Sequence, residues 1–201
     1  MLLDKDIREP LFDFLEDEYG RIRILEEINI FKSRADVVMV SENEIYGIEI
    51  KSDADSYQRL KRQVRDYDKY FDYNYIVVGS THAIHASEHV PKSWGIISVE
   101  EVNDRPDFYV IRKPDINSKM KLEHQLRILW RPEYAFVLEE LGMPKYKNKS
   151  KYFIIDKIVE RTMLAEKSKK YLSVGKVKEV MCKALFERDY TIYELAEILW
   201  S

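Results

Sequence analysis

The run "YNYIVVGS", residues 73–80, is apolar at successive rather than alternate positions, and this restricts the possible folds more than any other stretch of the chain. A strand sends neighbouring side chains to opposite faces of its sheet, so a nearly continuous apolar strand has to be covered on both. Helices on the two faces of a mixed sheet supply such cover. Upstream, "RIRILEEINI", "SRADVVMVS" and "NEIYGIEIK" read as three β segments separated by turn residues, including Ser41 to Asn43, and they look like a meander. Downstream, "WGIISVE" and "DFYVIR" add two further strands before Pro114.

Helical periodicity fills the gaps between these segments. From Asp4 to Tyr19, apolar residues recur at Ile7, Leu11, Phe14 and Leu15, and Gly20 ends the pattern. Pro10 implies either a start near Glu9, with the proline in the first turn, or a kink. From Ser56 to Phe71, Tyr57, Leu60, Val64, Tyr67 and Phe71 make one stripe, while Arg59, Lys61, Arg62, Arg65 and Lys69 make a basic outer face. The order is αβββαβ followed by two more β segments, an α/β fold with a mixed sheet. Beyond Pro114 the texture is helical. "NSKMKLEHQLRILW" and "EYAFVLEELG" read as helices, and Ile154 to Glu187 as two helices broken near Ser173 to Gly175. Thr191 with Glu194 forms a capping box. We place a boundary near residue 115, giving an α/β domain over 1–114 and an all-helical region over 115–201.

A hydrophobic content of 45% in 201 residues is ample for a packed, soluble protein. The single cysteine, Cys182, excludes an internal disulfide, and no Cys/His cluster suggests structural zinc. No apolar run approaches a membrane span, and the N-terminus becomes charged too early for a secretory signal, so a cytoplasmic protein is expected. The formal net charge is −3, yet residues 143–183 carry 12 Lys or Arg against 4 Asp or Glu. That segment suits either phosphate contact or a set of solvated helix faces.

The chemistry concentrates at the end of the third strand. Glu49 and Lys51, two residues apart, point to one side. An antiparallel pairing through the turn at Ser41 to Asn43 brings Asp36 of the second strand opposite Glu49. Two adjacent carboxylates are unfavourable without a cation or protons to offset them, and paired hard oxygens suit Mg²⁺ or Mn²⁺. Lys51 is then placed to polarise a water or stabilise charge on a phosphate. The plain alternative is an exposed Glu49–Lys51 ion pair worth roughly 0–1 kcal/mol.

An acid, a following strand with E-I-K, and a helix bearing Gln63 four residues before Tyr67 together resemble the PD-(D/E)XK nuclease superfamily. The likeness runs from about Asp4 to Glu100. "DKDIREPL", "GIEIKSDADSYQRLKRQV" and "VPKSWGIISVE" look more narrowly like a bacterial and phage branch of it, and "LWRPEYAFVLEELG" extends that likeness. The resemblance implies a restriction-endonuclease-like core and hydrolysis of phosphodiester bonds, in DNA more than RNA. It implies Asp36, Glu49 and the Ile50 carbonyl as ligands of Mg²⁺ or Mn²⁺, with Lys51 assisting catalysis and Gln63 and Tyr67 as the Q-x-x-x-Y pair. A homodimer, or a protein partner for the helical region, fits the same family. Where the superfamily usually has proline before the first acid, this chain has Ala35.

A further metal-binding acid is sought in Glu27, or in Glu9; an edge-strand acid and a helix-dipole charge are the respective alternatives. Gln63 is placed to orient Lys51 or a water, or to satisfy a buried backbone group. Arg34, Arg59 and Arg62 are candidate nucleic-acid contacts. His82, His85 and His89 have helical spacing but read as a surface loop or short helix rather than a metal face. Trp94, Trp130, Trp200 and Cys182 read as packing residues. If the metal site is silent, a nuclease-fold module that binds nucleic acid or protein remains.

Overall fold

Six strands form one mixed sheet in sequential order: β1 (Arg23–Ile30), β2 (Ser33–Val40), β3 (Ile45–Lys51), β4 (Tyr73–Gly79), β5 (Gly95–Val102) and β6 (Arg105–Arg112). They belong to a computed structural model that describes residues 2–164 and 172–190. The helices are α1 (Asp4–Tyr19), α2 (Leu60–Tyr70), α3 (Ser80–Ala83), α4 (Ala86–His89), α5 (Leu122–Leu126), α6 (Glu133–Glu140), α7 (Lys151–Thr162) and α8 (Val174–Phe186). The protein is thus α/β. The capping box at Thr191 and Glu194, and Trp200, lie outside the described residues.

Pairing is antiparallel from β1 to β3, parallel from β3 to β5, and antiparallel again at β6. Parallel neighbours need a crossover, and α2 makes the one between β3 and β4. β4 is buried almost throughout, as its unbroken apolar pattern requires. One face of the sheet packs on α1: Ile7, Leu11 and Leu15 meet Val37, Met39, Ile48, Ile50 and Val77 in a single apolar cluster. The helix runs from Asp4, so Pro10 lies inside it rather than in its first turn. The other face packs on α2, where Tyr67 contacts Phe71 and Trp94 with ring centroids 5.3 and 5.4 Å apart.

α2 carries three acids on or next to it that periodicity does not explain, and all are buried. Each accepts hydrogen bonds from a different part of the fold. Asp66 Oδ2 accepts from Ser33 Oγ (2.7 Å), Asp68 Oδ1 from Trp94 Nε1 (2.8 Å), and Asp72 Oδ2 from Ile45 N (2.9 Å) and Gln125 Nε2 (2.9 Å). The helix is pinned to the β1–β2 turn, to β5's approach and to β3.

The chain divides into two compact units, 1–128 and 129–201, so the boundary expected near residue 115 falls inside the first unit. Residues 117–121 are not helical as expected. Asn117 instead donates through Nδ2 to the carbonyls of Asp68 and Phe71 (2.7 and 2.8 Å), and Lys121 N donates to Lys69 O (3.0 Å). Those bonds strap the segment to α2. In the second unit, α6, α7 and α8 bury Tyr134, Val137, Ile154, Ile158, Val180 and Met181, with Cys182 among them. Gly175 lies in the first turn of α8, behind a Ser173 N-cap whose hydroxyl accepts from Lys176 N, rather than in the helix break. Several cations of the basic segment are paired here, including Lys157 with Glu160 and Lys183 with Glu140. Among the described residues no helix is long and apolar enough to cross a membrane.

Gly47 in β3 is fixed by the ring of Phe71: an added Cβ would stand 2.1 Å from Phe71 Cδ2. Gly47→Ala is therefore expected to cost about 1–3 kcal/mol through overpacking. Urea unfolding of the full chain checks this, with a midpoint clearly below that of wild type as the expected result.

Candidate active site

Glu49 is fully buried and Lys51 is only 5% exposed. A carboxylate withdrawn from water persists only where its charge is balanced and its lone pairs are filled. Lys51 Nζ and Gln63 Nε2 both donate to Glu49 Oε1, and the Tyr67 hydroxyl donates to Oε2 at 2.7 Å. Gln63 and Tyr67 are four residues apart on α2, on one face of the helix, so both reach the same strand. Burial, then the nearby Glu49 charge, drive the Tyr67 phenol well above its ordinary pKa, and it remains a proton donor. The exposed ion pair that an isolated E-x-K would suggest is not what the fold contains.

The β2–β3 ladder ends with Val37 opposite Ile48, one residue short of Asp36 and Glu49, and both of those side chains line one cleft of about 570 Å³. Asp36 Oδ2 accepts from Ile50 N at 2.9 Å. The Asp36 backbone leaves the sheet ladder: its N–H donates to the Tyr67 oxygen (3.2 Å) and its carbonyl accepts from Arg8 Nη1 (3.3 Å). Burial first, then repulsion from Glu49, raise the Asp36 carboxyl to about 7. The Ile50 N–H and the charges of Lys51 and Arg8 offset only part of that rise.

Hard oxygens are the donors on offer. A strand residue directs its N–H and C=O to the same side, so the Ile50 carbonyl faces the edge where Asp36 sits. Glu49 makes three hydrogen bonds out of about four acceptor sites. Two carboxylates and a carbonyl fit Mg²⁺ or Mn²⁺, which keep several waters of their own. Among the described residues, no group of three or more His, Cys, Asp or Glu comes together as a metal cluster.

The additional acids sought in the sequence do not complete such a cluster. Glu27 lines the cleft, but its carboxylate is held between guanidinium groups, accepting from Arg8 Nη2 at 2.6 Å and pairing with Arg34 Nε. Its φ of 56° lies in the left-handed region, and the β1–β2 ladder skips the Glu27–Asp36 pair. A non-glycine residue in that region costs energy, which here accompanies the break in the ladder beside Asp36. Glu9 is exposed and does not line the cleft; its neighbour Arg8 does, one helix position away. Sequence reasoning does not single out Arg8. It joins Asp4, Glu26 and Glu27 at 2.7, 3.2 and 2.6 Å, and the one signal for it is the Asp4–Arg8 spacing of four.

Arg34, Arg59 and Arg62 line the same cleft and are exposed. The histidines do not converge. His82 and His89 pack on Tyr57 with centroids 4.8 and 4.1 Å away, and His85 pairs with Glu88. Trp94 is buried, and Trp130 stacks under the Arg188 guanidinium at 4.1 Å.

The family model for bacteriophage P4 protein cII matches residues 3–193. The chain belongs to the bacteriophage P4 protein cII family. Comparison with curated proteins gives no match. The cII-family match takes in both compact units, so Asp36, Glu49, Lys51 and Gln63 all lie within it.

Asp36 also links this site of the cII-family protein to its stability. The folded carboxyl holds its proton to about 7, whereas the unfolded one releases it near 3.8. Folding takes up a proton between those values, so stability falls as pH rises through that window. Asp36→Asn removes the penalty: in metal-free buffer above neutrality its Tm is expected to exceed that of wild type by about 2–4 °C. Thermal unfolding checks this, and the advantage disappears at acid pH, where wild-type Asp36 is protonated in both states.

Proposed function

We propose that the chain is a divalent-metal-dependent nuclease that hydrolyses phosphodiester bonds in DNA, on a restriction-endonuclease-like core of the PD-(D/E)XK kind. The observation that carries this reading is the meeting of Asp36, Glu49 and Lys51 in one cleft rimmed by arginines. The order α1-β1-β2-β3-α2-β4 and the Gln63–Tyr67 pair on α2 support the same core.

Asp36, Glu49 and the Ile50 carbonyl would hold Mg²⁺ or Mn²⁺, which lowers the pKa of a bound water and offsets charge on the scissile phosphate. Lys51, fixed by Glu49, keeps its ammonium in the cleft to stabilise negative charge that builds on phosphate oxygens. Gln63 does two things. Its Nε2 donates to Glu49, while its Oε1 is buried without a hydrogen-bond partner and is free to accept from a water, orienting it. Arg59 and Arg62 engage backbone phosphates, which position a strand without reading its sequence. The helical unit would serve a partner subunit, another protein or the nucleic acid.

A second reading, a catalytically silent module that binds nucleic acid or protein, has its own support. Lys51, Gln63 and Tyr67 already fill most of the Glu49 carboxylate, a closed arrangement that is stable without a metal.

Incubating plasmid and branched DNA with the protein and Mg²⁺ or Mn²⁺ separates the two. Metal-dependent cleavage is expected, and Asp36→Ala or Lys51→Ala should lower it by about 10²–10³-fold. Equal cleavage by all three proteins, or DNA binding that is indifferent to metal and never leads to a cut, removes the nuclease assignment.

A further inference from the structure

A second concavity, of about 720 Å³, adjoins the cleft and shares Phe31, Lys32 and Arg62 with it. Its walls add Arg65, Lys69, Lys119 and Lys121. The acids that line it, Asp66 and Asp68, are buried and already bonded, Asp66 to Ser33 and Asp68 to Trp94 and to Lys119 Nζ at 2.9 Å. Arg62, Arg65 and Lys121 make no ion pair with any described residue. A chain whose formal net charge is −3 has therefore gathered six cations in one trough. The complement of such a trough is a polyanion.

Phe31 stands where trough and cleft meet. With Lys32 it makes the two-residue turn between the paired residues Ile30 and Ser33, and its φ is 51°. Two-residue hairpin turns take glycine at such a position, because a side chain there is strained. Packing does not repay the strain, since the residue is 60% exposed. The ammonium groups of Lys32 and Lys69 lie 5.6 and 5.0 Å from the ring centroid. An exposed aromatic ring among cations is a platform for an unpaired base, because every base has a π-face while its phosphates track the charges.

We propose that the trough binds a single-stranded segment of nucleic acid leading into the cleft, with phosphates along Arg62, Arg65, Lys69 and Lys121 and a base stacked on Phe31. This rests on the nuclease reading only in making that strand the substrate; the binding itself needs neither metal nor cleavage. A duplex keeps its bases stacked on one another and offers Phe31 only backbone.

The test is fluorescence anisotropy of the full chain in EDTA, with labelled oligothymidylate and a duplex of equal length. Tighter binding of oligothymidylate is expected. Phe31→Gly relieves the backbone strain, so its Tm should match or exceed that of wild type while single-strand binding weakens about tenfold. Phe31→Trp should keep the wild-type affinity. Arg65→Gln with Lys121→Gln should make the log–log salt dependence shallower by about 0.7 for each phosphate no longer neutralised. Preference for the duplex, or wild-type affinity of Phe31→Gly for oligothymidylate, overturns the proposal. Since cleavage is not measured, a protein that binds strands in this way and never cuts DNA with Mg²⁺ or Mn²⁺ sinks the nuclease reading alone.

Discussion

Glu49 has no access to water, and its negative charge has to be answered from inside the protein. Lys51 answers the charge, and Gln63 and Tyr67 fill the remaining acceptor sites. Losing one partner of such a buried group is far more costly than losing an exposed pair. The position of α2 over β3 follows from this, since only a helix crossing that strand can deliver both the amide and the phenol. Tyr67 carries the constraint to β2 as well, because its oxygen accepts the Asp36 N–H that would otherwise belong to the sheet.

Around that centre the polar groups serve two different ends. Asp66, Asp68 and Asp72 look outward from α2 to the rest of the first unit and hold the helix in place. Asp36, by contrast, is held well above the ordinary carboxyl range by burial and by the neighbouring Glu49. Asp66, Asp68 and Asp72 tie α2 to its surroundings, whereas Asp36 combines burial with a raised pKa in a cleft, the pattern expected of a group with a chemical task.

Much of this is legible in the sequence. Period-two and continuous apolar runs mark all six strands, and the turn at Ser41 to Asn43 sets the register that pairs Val37 with Ile48, next to Asp36 and Glu49. Other features depend on contacts that no local pattern records. "NSKMKLEHQLRILW" has helical composition, but Asn117 spends its side-chain amide on the carbonyls at the end of α2, and the helix is confined to Leu122–Leu126. The same bonds carry the first unit past residue 115. Glu9 attracts attention as an acid on the first helix; the helix phase delivers Arg8 to the cleft instead. Phe31, one residue beyond the apolar run that ends at Ile30, is not singled out by the sequence, because its exposure and its backbone angle exist only in three dimensions.

The two neighbours of β3 reach it by routes of unequal length. β2 arrives through a short turn, whereas β4 arrives only after the chain has travelled out along α2 and back. Closing the longer loop costs more entropy and tends to come later in folding. Glu49 and Lys51 come from β3 and Gln63 and Tyr67 from the crossover helix, so the charged centre exists only where that helix is docked on its strand.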